Sequence, residues 1–415
     1  MQLIAIRNIL VFLFVACFFF YPRLQTLFIS LAFFLTFFTG EFYEFKNRVL
    51  QNQISWVFIA FFTLGLVSLL WTDNMAAGWK GIEIKFSFIA FAIFLPLIFN
   101  VKSFNFSRVI NVLTISSLVY VALSFGRAIY IYSETGNFST LLGSTLGFRM
   151  FQDAPFVHPT YVSFYFLTLI LIWGKNLIEG GKELFTSSII GKVSLLLAFF
   201  VFVFFSSSKA GLLGMGIVVV MLLALFAKRE KKTIQAIGFF VFFLIVMVVG
   251  IYNTNLKLKF EQAYIELTDP NLQPDANLKS TGARIWIWKA TNEIIKENPI
   301  HGVGLGDTRD ELSTKYKKMG IKSLEGSDLD SHQQFLQTFA TLGLLGFLSL
   351  SLIFIVIIMT GWKQKNFLLL GIGLIYLLFG LTESMLETQA GVVFFTFFVF
   401  FFASTNNRLN NTSNE

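Results

Sequence analysis

Apolar runs of roughly 17 to 25 residues recur along this chain, and each can cross about 30 Å of hydrocarbon as a helix rising 1.5 Å per residue. We bracket them at residues 4–20, 24–39, 54–71, 82–99, 108–132, 157–174, 189–205, 209–227, 234–251, 334–360, 367–381 and 389–404. Lipid offers backbone groups no hydrogen-bond partner, so spanning segments are helices or closed barrels. Continuous runs such as Phe239 to Gly250 lack the alternation of a barrel strand. The expected fold is therefore all-α, a polytopic bundle of about 12 transmembrane helices.

Composition agrees. Charged residues make up only 13% and hydrophobic residues 55% of 415, against roughly 25% charge in an ordinary soluble domain. So few charges cannot cover a water-exposed shell, which excludes soluble-enzyme, disordered, collagenous and nucleic-acid-binding readings. The lone Cys17 permits no disulfide framework, zinc knuckle or thiol pair within one chain. The net charge of +8 follows from topology: with a cytoplasmic N-terminus, about 15 cations fall on the inner side and about six on the short outer connections, the positive-inside pattern. The first apolar run reads as a retained helix, since no small-residue cleavage site follows it.

These spans divide the chain into helices 1–9 over residues 1–251, an outward loop over 252–331, helices 10–12 over 332–404, and a cytoplasmic tail over 405–415. An 80-residue structureless connection would be unusual, so the loop between helices 9 and 10 is expected to be partly helical. Thr281 to Glu297 fits an amphipathic helix at the membrane surface, with Arg284, Trp288, Thr291 and Ile295 on one face and Asn298-Pro299 ending it. The Gly302-x-Gly304-x-Gly306 run after it lacks the strand and spacing of a dinucleotide fingerprint and reads as a turn.

Several side chains are candidates for chemistry. His332 follows Ser331 where the loop meets a helix, and Ser331 with Gln334 has capping-box spacing, which would place the imidazole in the first helical turn. There the helix dipole favours the neutral, proton-accepting ring, while Asp328 and Asp330 favour the charged one. The residues leave two readings, a general base or a capping histidine. Arg284 is either a phosphate ligand, for which its planar fork is suited, or a cation snorkelling beside Trp286 and Trp288. Lys209, between Ser206-Ser207-Ser208 and an apolar helix, is either an anion ligand or a topological end-charge. Glu383 and Glu387, at i,i+4 spacing, would share one face and could orient a histidine or bind a sugar hydroxyl. Arg127 and Arg149, by the 133–156 loop, are weaker candidates of the same kind as Lys209, and His158, just before Pro159, either lines a cavity or caps a helix. Asp328, Asp330 and His332 carry ligand types that suit a divalent ion, but no further ligand cluster supports a metal, and no metal or other cofactor is expected.

Four segments in order, Ser206-Ser-Ser-Lys-Ala-Gly211, Arg284-Ile-Trp-Ile-Trp288, Asn298-Pro-Ile-His-Gly-Val-Gly-Leu-Gly306 and Ser331-His-Gln-Gln to Gly346, resemble the O-antigen ligase and O-antigen polymerase superfamily of bacterial envelope glycosyltransferases. The resemblance covers residues 200–360 and implies an inner-membrane, metal-independent enzyme with a periplasmic loop. It implies transfer of an undecaprenyl-diphosphate-linked glycan, with inversion, to an acceptor such as lipid A-core. A polymerase extending lipid-linked repeats and a protein O-oligosaccharyltransferase share these motifs. By the same resemblance His332 matches the base on the acceptor hydroxyl and Arg284 the arginine that engages the diphosphate. Lys209 stands where relatives carry arginine, keeping charge but losing bidentate geometry. Gln333 replaces the asparagine that follows the histidine in many relatives. From another class, a transporter or flippase fits the helix count, but the related halves and paired broken helices of that class are not evident.

Overall fold

The computed structural model describes residues 2–20, 22–99, 104–136, 159–181, 185–206, 208–252, 256–268 and 280–411. Fifteen α-helices and no strands occur among them: α1 (Gln2–Ala16), α2 (Pro22–Thr36), α3 (Gln53–Val67), α4 (Met75–Phe99), α5 (Phe106–Thr135), α6 (Pro159–Glu179), α7 (Ile189–Phe205), α8 (Lys209–Glu230), α9 (Thr233–Tyr252), α10 (Leu256–Thr268), α11 (Ser280–Glu297), α12 (Thr308–Lys318), α13 (Gln334–Lys363), α14 (Phe367–Gly380) and α15 (Gln389–Asn411). Eight spans are long and apolar enough to cross a membrane: α1 and α3, each extended by the 3-10 turn that follows it (to Phe19 and Trp71), and α4, α5, α6, α8, α9 and α13. The chain is a multi-pass membrane protein. The apolar parts of α2, α7, α14 and α15 are shorter than 18 residues, so a count of 12 spans rests on those four.

Most helices expose one flank and bury the other, but α15 is apolar on every side and sits at the centre of the bundle. Phe394, Phe395, Phe397, Phe398, Phe400 and Phe401 are all fully buried. Their rings meet partners from every direction: Tyr165 of α6 stacks on Phe394 and Tyr376 of α14 on Phe395, each at 3.9 Å between centroids. Phe14 of α1 meets Phe397 at 5.2 Å, and Phe58 of α3 meets Phe400 at 5.6 Å. Such ring pairs contribute about 0.5–1.5 kcal/mol each beyond area burial. In lipid, where tails are as apolar as the core, that contact geometry carries much of the association.

The longest helices do not simply span. At 30 residues, α13 is about 45 Å long, well beyond the hydrocarbon thickness, and it breaks at Gly343, where φ is 65° and ψ −161°. The break frees carbonyls that a continuous helix would have used, and the glycine turn supplies their partners. Val303 N donates to Ala340 O and Gly304 N to Thr341 O, both at 2.9 Å, while Leu344 N donates to Pro299 O at 2.9 Å. The segment after the break, residues 344–363, spans about 30 Å by itself. Asp307 then closes the turn against α4, accepting from Asp73 N at 2.8 Å and Asn74 N at 2.7 Å. Thus the Gly302–Gly306 run is a turn, as its sequence implies, but its role is to dock the loop onto a broken helix.

The loop is indeed partly helical, with α10, α11 and α12, and it has its own small core. Here the surface-helix expectation is corrected: α11 buries Ile287, Ala290, Thr291 and Ile294 against Leu312, Tyr316 and Ala340. The buried stripe is rotated from the expected Arg284–Ile295 face because apolar residues of α12 and α13 receive it. His301 sets its ring edge-on to Trp71 at 5.8 Å.

A Cβ at Gly343 would lie 2.1 Å from Ile300 O on a left-handed backbone that costs a non-glycine residue about 1–2 kcal/mol before any clash. Gly343→Ala should therefore lower the apparent melting temperature in a fixed detergent by several degrees. Gly216→Ala, in an α8 position with open space around it, should leave it unchanged or raise it.

Candidate active site

The short connection between α14 and α15 carries the side chain around which the candidates assemble. Glu383 uses its two oxygens on two different partners: Oε1 accepts from Arg284 Nη2, and Oε2 lies 3.4 Å from His332 Nδ1. The bundle thereby brings together a guanidinium from α11, an imidazole from the loop–α13 junction and a carboxylate from the far end of the chain. Lys209 joins from α8. Ser208 caps that helix by accepting from Gly211 N at 3.1 Å, which makes Lys209 its first residue, and Nζ donates to Thr281 Oγ1 at 2.9 Å. Thr281 is one turn before Arg284 on α11, so both cations serve the same end of the bundle.

The capping-box expectation for His332 fails. The N-cap of α13 is Gln333, whose own side chain accepts from Leu336 N, and the helix begins at Gln334. Ser331 is spent elsewhere: its N and Oγ both donate to Gln337 Oε1, at 2.9 and 2.8 Å, and its carbonyl accepts from Trp288 Nε1 at 3.0 Å. His332 therefore stands just outside the helix with φ 46°, a left-handed conformation that side chains other than glycine rarely take. Asp330 holds it there, its Oδ1 accepting from His332 N at 2.8 Å. On the other side Gln333 N donates to Ser384 Oγ at 3.1 Å. The ring is about one-third exposed, beside a Glu383 that is 17% exposed.

This geometry selects a tautomer. With Nδ1 facing two carboxylates, Glu383 at 3.4 Å and Asp330 at 3.7 Å, the proton belongs on Nδ1, and Nε2 is left as the acceptor. Burial holds the Asp330 carboxyl above the usual carboxylate range, with His332 pulling in the opposite direction. Asp328 turns away to an ion pair with Arg309 at 2.6 Å, so the Asp328–Asp330–His332 trio does not converge. Among the described residues no group of three or more His, Cys, Asp or Glu could hold a metal ion.

Glu387 does not share a face with Glu383, because residues 385–387 form a 3-10 turn rather than an α-helix. It reaches instead to Lys85 Nζ at 2.6 Å and accepts from Gln334 Nε2 at 3.2 Å. Gln334 Oε1 in turn accepts from Leu386 N at 2.7 Å. Lys85, a helix-start charge in the sequence, is thus buried as the counter-ion of this brace. Asp330 was read only as a charge beside His332, while Ser384 and Lys85 went unrecognised as parts of the site; the expected span beginning at residue 82 put Lys85 at a helix end, whereas α4 begins at Met75 and holds it inside. Arg149 and His158 lie outside the described residues.

Residues 194–351 match the family described as O-antigen ligase, a match that supports a place in the O-antigen ligase-like superfamily. The matched stretch contains Lys209, Arg284 and His332. A protein of Haemophilus influenzae described as uncharacterized is 26% identical over 242 residues, which is 56% of this chain and 55% of that protein. The match thus covers about half the length of each.

Asp330→Ala should remove the acceptor that holds His332 and lower the melting temperature, whereas Asp330→Asn, which keeps an oxygen at that place, should retain most of it. Because folding raises the Asp330 pKa, the native state binds the proton more tightly, so this group contributes stability at low pH that fades as pH rises through its titration. Melting curves across the acidic range should show that decline in the parent protein and a flatter profile in Asp330→Asn.

Proposed function

We propose that the chain is a bacterial inner-membrane glycosyltransferase that moves an undecaprenyl-diphosphate-linked glycan onto an acceptor sugar hydroxyl of the lipid A-core type. The observation that carries this reading is the sharing of Glu383 between His332 and Arg284. It joins a proton acceptor and an anion ligand at one end of an apolar bundle, on a family domain of O-antigen ligases. In this reading the His332 end faces the periplasm and both termini face the cytoplasm.

The donor already carries a good leaving group, so the protein's task is to align, deprotonate and neutralise. His332 Nε2 takes the proton of the acceptor hydroxyl while that oxygen forms a bond to the anomeric carbon. The bond from that carbon to the diphosphate oxygen breaks, and attack from the opposite side inverts the centre. Arg284 and Lys209 receive the negative charge that develops on the departing diphosphate. Glu383 fixes the Nδ1–H tautomer and stabilises the imidazolium once it forms, a positioning role like that of the carboxylate in a hydrolase triad. Its second oxygen holds Arg284 in place until the donor arrives.

His332→Ala should reduce transfer by roughly 10²–10⁴-fold, the usual contribution of general-base catalysis, with donor binding nearly unchanged. Arg284→Ala should weaken donor binding by roughly 10- to 100-fold, the worth of a hydrogen bond to a charged group. The assay is purified protein with a defined polyprenyl-diphosphate-linked glycan, offered lipid A-core or a second lipid-linked repeat and read by mass spectrometry. Product on lipid A-core supports ligation, product on the second repeat would replace it with polymerisation, and parental rates in His332→Ala would overturn the base assignment.

A further inference from the structure

The connection that carries Glu383 to His332 continues, six residues on, to a second feature. Gln389 Nε2 donates to Thr26 Oγ1 at 2.7 Å, and both residues line a cavity of about 210 Å³ formed mainly by α2, α4 and α15. Its polar lining is Gln25, Thr26, Ser30, Glu83, Ser87 and Gln389, laid over an aromatic floor that includes Phe33 and Phe91. Lys85, the buried partner of Glu387, is two residues from Glu83 on α4, and Glu387 is two residues from Gln389. The groove and the candidate active site therefore flank one another at the same end of the bundle.

The chemistry of the two flanks is opposite. Arg284 and Lys209 make the first cationic. The groove has one carboxylate, amides and hydroxyls, and no cation among its lining residues. Glu83 is exposed and makes no ion pair among the described residues, Lys80 one turn away included. Such a surface repels phosphate and offers hydrogen bonds to hydroxyl groups. A carboxylate in an apolar helix is costly unless polar company arrives. The volume is below the roughly 300 Å³ of a drug-sized pocket, which suits one sugar ring rather than a whole chain. Beside it α2 presents Leu27, Leu31 and Phe34 to the surroundings, at 50%, 44% and 59% exposure, an apolar track for acyl chains.

We propose that this groove is the entry site for the acceptor: it holds a hydroxyl-rich sugar of a glycolipid whose chains lie along α2, and delivers it to His332 from the side away from the donor's diphosphate. The acceptor role rests on the glycosyltransferase reading above; the sugar-binding site itself does not.

The test uses the full-length protein in nanodiscs with two photoactivatable diazirine probes of equal chain length, an alkyl glucoside and an alkyl phosphate, with labelled peptides mapped by mass spectrometry. The glucoside should label residues 22–36 and 75–91 preferentially, and the phosphate should not. Glu83→Gln, which keeps size but removes charge, and Ser30→Trp, which fills the cavity, should each lower that labelling several-fold. His332→Ala should leave it unchanged. Glucoside labelling spread evenly over lipid-facing helices such as α9, or a phosphate probe that labels the groove as well, would overturn the proposal. In the transfer assay Glu83→Gln should raise the acceptor KM several-fold with kcat and donor affinity unchanged; an unaltered acceptor KM would sink the acceptor role. Loss of the groove labelling with transfer intact, or the converse, distinguishes failure of this inference from failure of the proposed function.

Discussion

A helix cannot be broken near a membrane without partners for the freed backbone groups, and the break at Gly343 finds them in residues 299–304. That exchange ties the loop to the bundle by backbone hydrogen bonds instead of by adaptable side chains. With the turn docked, Asp307 closes on the start of α4 and α11 is laid against the first part of α13. Arg284 can then meet Glu383. The site's geometry is in this sense set by a pair of close backbone approaches, at Gly302 and Gly343, where no Cβ would fit.

In this bundle buried charge is handled by local pairing, at the site and away from it. Glu383 serves His332 and Arg284, Glu387 serves Lys85, and Glu41 serves Arg7, whose side chain is fully buried. Leaving one member of such a buried pair alone is strongly destabilising, whereas the intact pair adds little net stability. Their value here is positional. The Arg284–Glu383 pair is the exception in exposure, at 26% and 17%, and partial access is what an anion-binding group requires.

Much of the architecture was legible from the chain because lipid imposes simple rules. Apolar runs became helices, and the caps Asn52, Asn105 and Ser208 set starts within two residues of the expected ones. The loop's helical content and the candidacy of His332, Arg284, Lys209 and Glu383 were likewise legible, through residue type and order. What misled was local spacing taken alone. Ser331 and Gln334 have capping-box spacing, yet Trp288, Thr291 and Gln337 claim Ser331 from other elements. Glu383 and Glu387 have helical spacing, yet a 3-10 turn sends them to different partners.

The sequence by itself determined that this is a helical membrane protein with a polar loop bearing a histidine and an arginine, since hydrophobic length and charge placement act along the chain without reference to the fold. Only tertiary structure decided that Glu383 stands between those two residues, that Lys85 answers Glu387 across 302 positions, and that the phenylalanine-rich α15 occupies the centre. Those outcomes depend on which faces meet after packing, and contact energies between distant elements leave no periodic trace in the order of residues.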